Sequence, residues 1–133
     1  MVFSNIIISS FIGIAENEEL NRNMLSRLPI YSVIAMVIVA PIIEESMTKI
    51  ILKDYIKNKI VYSIITGLIF GSLHLLNITN IIEVLYIIPY GALGAALSYI
   101  YSESNNIWTN ITFHAIHNFI AISLLFVSYI LGV

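Results

Sequence analysis

The chain has no cysteine among its 133 residues. It therefore has no disulfide, no thiolate nucleophile and no cysteine-ligated metal site. Charge is scarce too: Asp, Glu, Lys and Arg make up 11% of the residues, against about 25% in an average soluble domain. So few charged side chains could not cover a water-facing surface. Together with the 59% of hydrophobic residues, this predicts a single small membrane domain.

Basic residues are also few. Lys and Arg number 6 and the formal net charge is −2. Because nucleic-acid binding needs a basic stripe that meets the phosphates, this composition excludes nucleic acid as a partner.

Apolar segments follow one another along the chain. Residues 1–14 are apolar but short, and residues 15–28 form a polar linker or surface helix. Four longer segments follow, at about 30–52, 60–76, 81–101 and 107–132, each near the ~20 residues that span a bilayer. Since a helix satisfies its own backbone groups in lipid, the sequence predicts an all-α polytopic bundle. It would have about four transmembrane helices plus a short N-terminal apolar helix.

This pattern also divides the chain. Residues 1–29 form an N-terminal apolar segment with its polar linker, and residues 30–133 form the membrane domain. The connections between the four long segments are short, so consecutive helices should be antiparallel neighbours.

Lysines predict the orientation of the bundle. Lys49, Lys53, Lys57 and Lys59 flank the first connection, "KDYIKNK", whereas two arginines are the remaining basic residues. The positive-inside rule therefore places this connection in the cytoplasm, by four basic residues to two.

Polar residues interrupt three of the apolar segments at comparable depth. At ~1.5 Å per helical residue, Glu44 lies roughly 13 Å from Lys53, and His114 and Asn118 lie roughly 10 and 16 Å from residue 107. His74 lies roughly 21 Å from residue 60, a spread that helix tilt absorbs. Ionisable residues within membrane helices are costly and face the bundle interior. We therefore interpret these four residues as a functional constellation.

Helical spacing divides the roles of the two adjacent glutamates. Glu45 and Lys49 are four residues apart, share a face and can neutralise each other. Glu44 points about 100° away and has no charged partner in sequence, so it is free for chemistry. Phe70 shares a face with His74 in the same way, as does His114 with Asn118.

These residues carry a resemblance to a known family. "EESMTK" (44–49), "FGSLH" (70–74) and "HAIHN" (114–118) resemble, in order, the motifs EExxxR, FxxxH and HxxxN or HxxxD. These motifs belong to the CAAX-protease and bacteriocin-processing family of intramembrane proteases. That family, also called Abi, includes the type II CAAX prenyl endopeptidases. The resemblance covers about residues 30–130 and departs from the pattern at Lys49, where the family usually has an arginine that grips a carboxylate with two bonds.

The resemblance implies a polar cavity open toward the cytoplasm and a role for each motif. Glu44 would activate a water and His74 would act with it. His114 and Asn118 would stabilise the oxyanion or help to hold a metal. Glu45, Lys49 and Phe70 would support them, Glu45 with Lys49 holding Glu44 in place.

Zinc is left open as a cofactor. Glu44, His74 and His114 could form a three-ligand site with an open position, where a zinc-bound water would suit peptide hydrolysis. Without metal, the reaction needs a desolvated Glu44 and donors aimed at the developing oxyanion.

The sequence thus predicts an intramembrane endopeptidase in the plasma membrane, surrounded by lipid. Its substrate would be a CAAX-type prenylated or a bacteriocin-like hydrophobic peptide. Two alternatives are a non-catalytic membrane immunity or scaffold protein of the same fold, and a metal or proton carrier. The oligomeric state is left open, and Asn110, in an "NIT" tripeptide resembling a glycosylation site, is given no role.

Overall fold

The computed structural model describes residues 2–76, 78 and 80–131. Regular structure in this part of the chain is helical throughout. Helix α1 is Val2–Ile12 and α2 is Glu16–Arg27. The long helix α3 covers residues 29–53, α4 is Lys59–Leu73, α5 is Ile87–Ser104 and α6 is Ile107–Leu131. The predicted all-α bundle is confirmed.

Helix α3 is not uniform. It is α-helical at Pro29–Ile34, Ala40–Glu45 and Ile51–Lys53, and π-helical at Ala35–Val39 and Ser46–Ile50. Pro41 has no N–H to donate, which disfavours a regular ladder around it, and π-turns recur at functional sites. The two wide turns flank the segment that carries both glutamates, so they set the direction of these side chains.

Within the described part of the chain, three stretches are long and apolar enough to cross a membrane: Pro29–Lys49, Ile81–Ser104 and Ile107–Val127. The second joins a 3₁₀ turn, Ile81–Tyr86, to α5. Helix α4 is apolar but has only 15 residues, about 22 Å. It ends at Leu73, three residues before the predicted boundary, and His74 is its C-cap.

Helices α4 and α5 pack backbone against backbone. A Cβ added to Gly67 would lie 2.6 Å from the Gly91 carbonyl oxygen and 2.8 Å from the Ala95 nitrogen, and one added to Gly94 would lie 2.6 Å from the Phe70 Cβ. The small residues of "GALGAALS" thus allow the close approach expected in membranes. Thr66 and Ser98 hydrogen-bond across the same seam, with hydroxyl oxygens 2.6 Å apart.

This seam gives a matched pair of substitutions. Gly67→Ala should force the two backbones apart and cost about 1–3 kcal/mol. Gly91→Ala should be tolerated, because its nearest contact, the Gly67 carbonyl oxygen at 3.4 Å, is ordinary packing. Apparent unfolding temperatures in detergent compare the two. Equal losses would show that the seam is not as close as described.

The helices alternate in direction, so the bundle has two distinguishable ends. At the lysine end, where α3 ends and α5 ends, Lys53 donates to the Tyr101 carbonyl oxygen at 3.3 Å, and Lys59 pairs with Glu103 at 2.8 Å. At the opposite end α3 and α5 begin. There the Tyr86 hydroxyl donates to the Gly13 carbonyl oxygen at 2.6 Å, which fixes the connection between α1 and α2.

Candidate active site

Three helices bring one carboxylate and two imidazoles together. The Glu44 Oε2 atom, on α3, lies 3.8 Å from His74 Nε2, at the end of α4, and 3.8 Å from His114 Nε2, on α6. The three residues were predicted at similar depth, and the structure places them around one point. The Glu44 oxygen is buried and makes no hydrogen bond to other described residues.

The contact of each imidazole Nδ1 atom determines whether the Nε2 atom of the same ring donates or accepts a hydrogen bond. His74 Nδ1 lies 2.9 Å from the Phe70 carbonyl oxygen, and His114 Nδ1 lies 2.9 Å from Glu45 Oε1. A carbonyl or carboxylate oxygen only accepts, so each Nδ1 carries the hydrogen. In the neutral imidazoles both Nε2 lone pairs therefore face the Glu44 oxygen, and the three atoms form a set of acceptors for one shared donor.

Glu45 is not one of these three acceptors; it contacts the Nδ1 side of the His114 ring. Its carboxylate is fully buried, binds His114 through one oxygen, and through the other accepts a hydrogen bond from the Asn110 side chain. Lys49, also fully buried, lies 3.9 Å from the same oxygen and donates to the Gly94 carbonyl oxygen at 3.2 Å. Glu45 therefore orients His114, whereas the sequence predicted that it would hold Glu44.

Aromatic rings fix the second imidazole. His74 stacks on Tyr90, with ring centroids 4.6 Å apart and planes at 21°. On its other side lies Phe70, with centroids 4.5 Å apart. The Phe70 ring also meets His114 edge-on, at 5.5 Å. Phe70 thus contacts both imidazole rings. This position agrees with its predicted location on the same helix face as His74.

Asn118 lies one helical turn beyond His114. Its Nδ2 atom donates to the Met36 carbonyl oxygen at 2.9 Å, in the first π-turn of α3. An amide nitrogen has two hydrogens, so one remains for another acceptor. Asn118 also lines the cavity described next, so its remaining hydrogen can be donated to a group bound there.

A cavity of about 500 Å³ contains Glu44, His74, His114 and Asn118 in its wall. One side is apolar and comes largely from the second half of α6, with Ala121, Ile122, Leu124 and Leu125. Helix α2 supplies another part of the wall, with mostly polar residues. The cavity thus combines an apolar wall with a series of hydrogen-bonding side chains.

The cavity extends toward the end opposite the lysines. Its lining comes from the middle of α3, the end of α4, the first half of α5 and residues 114–125 of α6, most of which lie toward that end. If the cavity opens at that end, the orientation predicted from lysines and the cytoplasmic cavity implied by the resemblance cannot both hold.

A comparison with protein families shows to which family the chain belongs. The family model described as "Type II CAAX prenyl endopeptidase Rce1-like" matches residues 26–120, which include every residue of the constellation. The chain belongs to the type II CAAX prenyl endopeptidase Rce1-like family. No curated protein and no solved structure matches the chain.

The side chains that could hold zinc in this Rce1-like chain do not fit the ion as they are placed. Ligand atoms on a tetrahedral zinc, each about 2.0–2.2 Å from it, lie about 3.3–3.6 Å apart, whereas the two Nε2 to Oε2 distances are 3.8 Å. Among the described residues no group of three or more His, Asp or Glu side chains is arranged for a metal ion. The chemistry below is therefore derived without one.

Two contributors to this Rce1-like site were missed from the sequence. Asn110, given no role, is fully buried and binds Glu45. Its spacing of four residues from His114 could have signalled this, because 110, 114 and 118 form one stripe of α6. The stacking of Tyr90 on His74 had no such signal, since it depends on how α5 is rotated against α4.

Proposed function

We propose that the protein is an intramembrane endopeptidase in which Glu44 activates the water that attacks a peptide bond. The observation that carries the proposal is the convergence of three hydrogen-bond acceptors, Glu44 Oε2 and the two Nε2 atoms, at the wall of a half-apolar cavity. Polar groups more than 3.5 Å apart can be bridged by a water, and a water among these three acceptors would donate to the carboxylate. Family membership supports the same class of reaction.

The proposed reaction adds one water across the peptide bond. Glu44 takes a proton from the water as the water oxygen bonds to the carbonyl carbon of the peptide. The proton then passes from Glu44 to the leaving amine nitrogen as the C–N bond breaks. His114, held by Glu45, and His74, held by Phe70 and Tyr90, keep the water in line. The free N–H of Asn118 offers a donor for the oxyanion, a contribution that is larger in a low-dielectric site than in water.

The direct test of activity is cleavage by the purified protein in detergent. The panel contains a farnesylated CAAX peptide and unmodified hydrophobic peptides, including a bacteriocin-like one, each incubated with and without a chelator. We expect two fragments whose masses sum to the substrate plus one water, and activity that survives chelation. Loss with chelator and return with zinc would instead favour the zinc prediction. Intact peptides throughout would favour the non-catalytic immunity or scaffold alternative.

The proposed place of action is the plasma membrane, with the cavity open to the cytoplasm. The structure weakens the opposing lysine prediction, because Lys49 is buried against Glu45 and lies in the bundle rather than in the connection. The remaining margin is three lysines at one end against Arg22 and Arg27 at the other, which decides little under a rule based on counts. The lysine connection would then face outward.

Labelling of a single cysteine tests this orientation. The chain has no native cysteine, and Tyr55, in the lysine connection, is 80% exposed. We expect Tyr55→Cys to react with a membrane-impermeant maleimide in intact cells. Labelling only after the membrane is permeabilised would reverse the orientation and place the cavity mouth outside.

A further inference from the structure

Asn110 lies on the stripe of α6 that faces the site. It is fully buried and precedes His114 by one helical turn. Its Nδ2 atom donates to Glu45 Oε2, whereas His114 Nδ1 donates to Glu45 Oε1. The Glu45 carboxylate thus accepts one directed hydrogen bond on each oxygen, and both donors come from the same face of α6.

Lys49 supplies the counter-charge of this carboxylate but does not fix its plane. The ammonium nitrogen lies 3.9 Å from Glu45 Oε2, beyond hydrogen-bond distance, and it donates instead to the Gly94 carbonyl oxygen at 3.2 Å. A lysine ammonium acts as a point charge rather than as a fork with a fixed direction. Since the last torsion of a glutamate side chain is itself broad, the two hydrogen bonds from α6 determine how the carboxylate is turned.

The amide of Asn110 is held in one orientation at a cost. Nδ2 faces the carboxylate, because an amide oxygen in its place would be repelled by Glu45. Oδ1 is buried and has no hydrogen-bond partner among the described residues, which costs free energy. A leucine of similar size would avoid this cost. The donated hydrogen bond is therefore what distinguishes asparagine from an apolar residue at this position.

The orientation of the Glu45 carboxylate has a consequence for Glu44. With its hydrogen on Nδ1, His114 presents Nε2 as an acceptor, 3.8 Å from Glu44 Oε2. If the Glu45 carboxylate turned away, the hydrogen could move to Nε2, where it would be attracted to the Glu44 carboxylate. His114 would then occupy the oxygen that is to accept a proton from water.

We propose that Asn110 is a positioning residue: by holding the Glu45 carboxylate on His114 Nδ1, it keeps the imidazole hydrogen away from Glu44. The expected effect on turnover rests on the proposed peptidase function, whereas the effect on the imidazole does not. Because Asn110 acts through two other side chains, the state of the His114 ring reports its role more directly than turnover does.

Nitrogen NMR of the imidazole rings tests this assignment without a substrate. The protein is labelled with ¹⁵N-histidine and purified in detergent at pH 8, above the usual pKa of an imidazole. The signals of its 3 histidines are assigned by comparison with the His74→Gln and His117→Gln proteins. We expect His114 to carry its hydrogen on Nδ1 in the wild-type protein, and the hydrogen to shift toward Nε2 in Asn110→Leu.

Thr66→Val is the matched control. It also removes a buried hydrogen bond, from Thr66 to Ser98, but in the seam between α4 and α5 and not at a contact of His114. A purely structural loss would lower the unfolding temperature of either variant, whereas only Asn110→Leu should change the His114 signals. On a peptide that is cleaved, Asn110→Leu should also lower kcat about tenfold or more, the worth of a hydrogen bond to a charged group.

The outcomes separate this proposal from the peptidase function. Unchanged His114 signals in Asn110→Leu, an equal change in Thr66→Val, or a hydrogen on Nε2 in the wild-type protein would overturn the role of Asn110. If Asn110→Leu does not fold, Asn110→Ala, which also lacks the donor, takes its place in the same comparison. A shift that depends on Asn110, combined with no cleavage by the wild-type protein, would refute the peptidase function and leave the positioning of His114 standing.

Discussion

Replacing Glu45 with glutamine is expected to destabilise the protein by about 3–5 kcal/mol, the cost of breaking a buried ion pair from one side. Glu45 and Lys49 both have fully buried side chains. Glutamine keeps the size of the residue but leaves the lysine ammonium without a counter-charge inside the bundle. It also weakens the hydrogen bonds from Asn110 and His114, which are directed at the carboxylate. The apparent unfolding temperature in detergent measures the loss.

Two controls make this result specific. Adding Lys49→Met to Glu45→Gln removes both charges and should recover most of the loss, because a buried pair replaced by apolar groups is often neutral. Glu103→Gln breaks the pair with Lys59, in which both side chains are about half exposed, and should leave the unfolding temperature unchanged. If the double variant is no more stable than Glu45→Gln alone, the ion pair is not the source of the stability.

Much of the architecture was predictable because bilayer length constrains it. The four long apolar runs predicted the helices of the bundle. The similar depth of the polar residues predicted that Glu44, His74 and His114 lie close together. The spacing of four between Glu45 and Lys49 gave their contact. These features depend on one helix at a time, or on depth alone, and a single sequence carries both.

The rest depends on how helices are rotated against each other. The sequence shows that Glu45 shares a face with Lys49, but not that this face meets His114 and Asn110 on α6. Similarly, the polar residues 15–28 suggested a linker or surface helix, and only the packing of α2 against the bundle places Arg22 at the cavity. The π-turns of α3 had no pattern that would predict them beyond Pro41.

Replacing Glu44 with glutamine should lower activity and leave stability unchanged, whereas the main effect of Glu45→Gln is on stability. Glu44 Oε2 makes no hydrogen bond within the described part of the chain, and no lysine there is paired with it, so glutamine breaks no hydrogen bond of that oxygen. It cannot, however, accept a proton from water at neutral pH. General-base catalysis contributes about 10²–10⁴ to the rate, and a loss of kcat in this range is expected with the unfolding temperature unchanged.

The decisive measurement is kcat of Glu44→Gln on a peptide that the wild-type protein cleaves, with Glu103→Gln run beside it. We predict a fall of about 100-fold or more for Glu44→Gln, wild-type turnover for Glu103→Gln, and equal unfolding temperatures for all three proteins. Turnover by Glu44→Gln within a few-fold of wild type would contradict the assignment of Glu44 as the group that activates water.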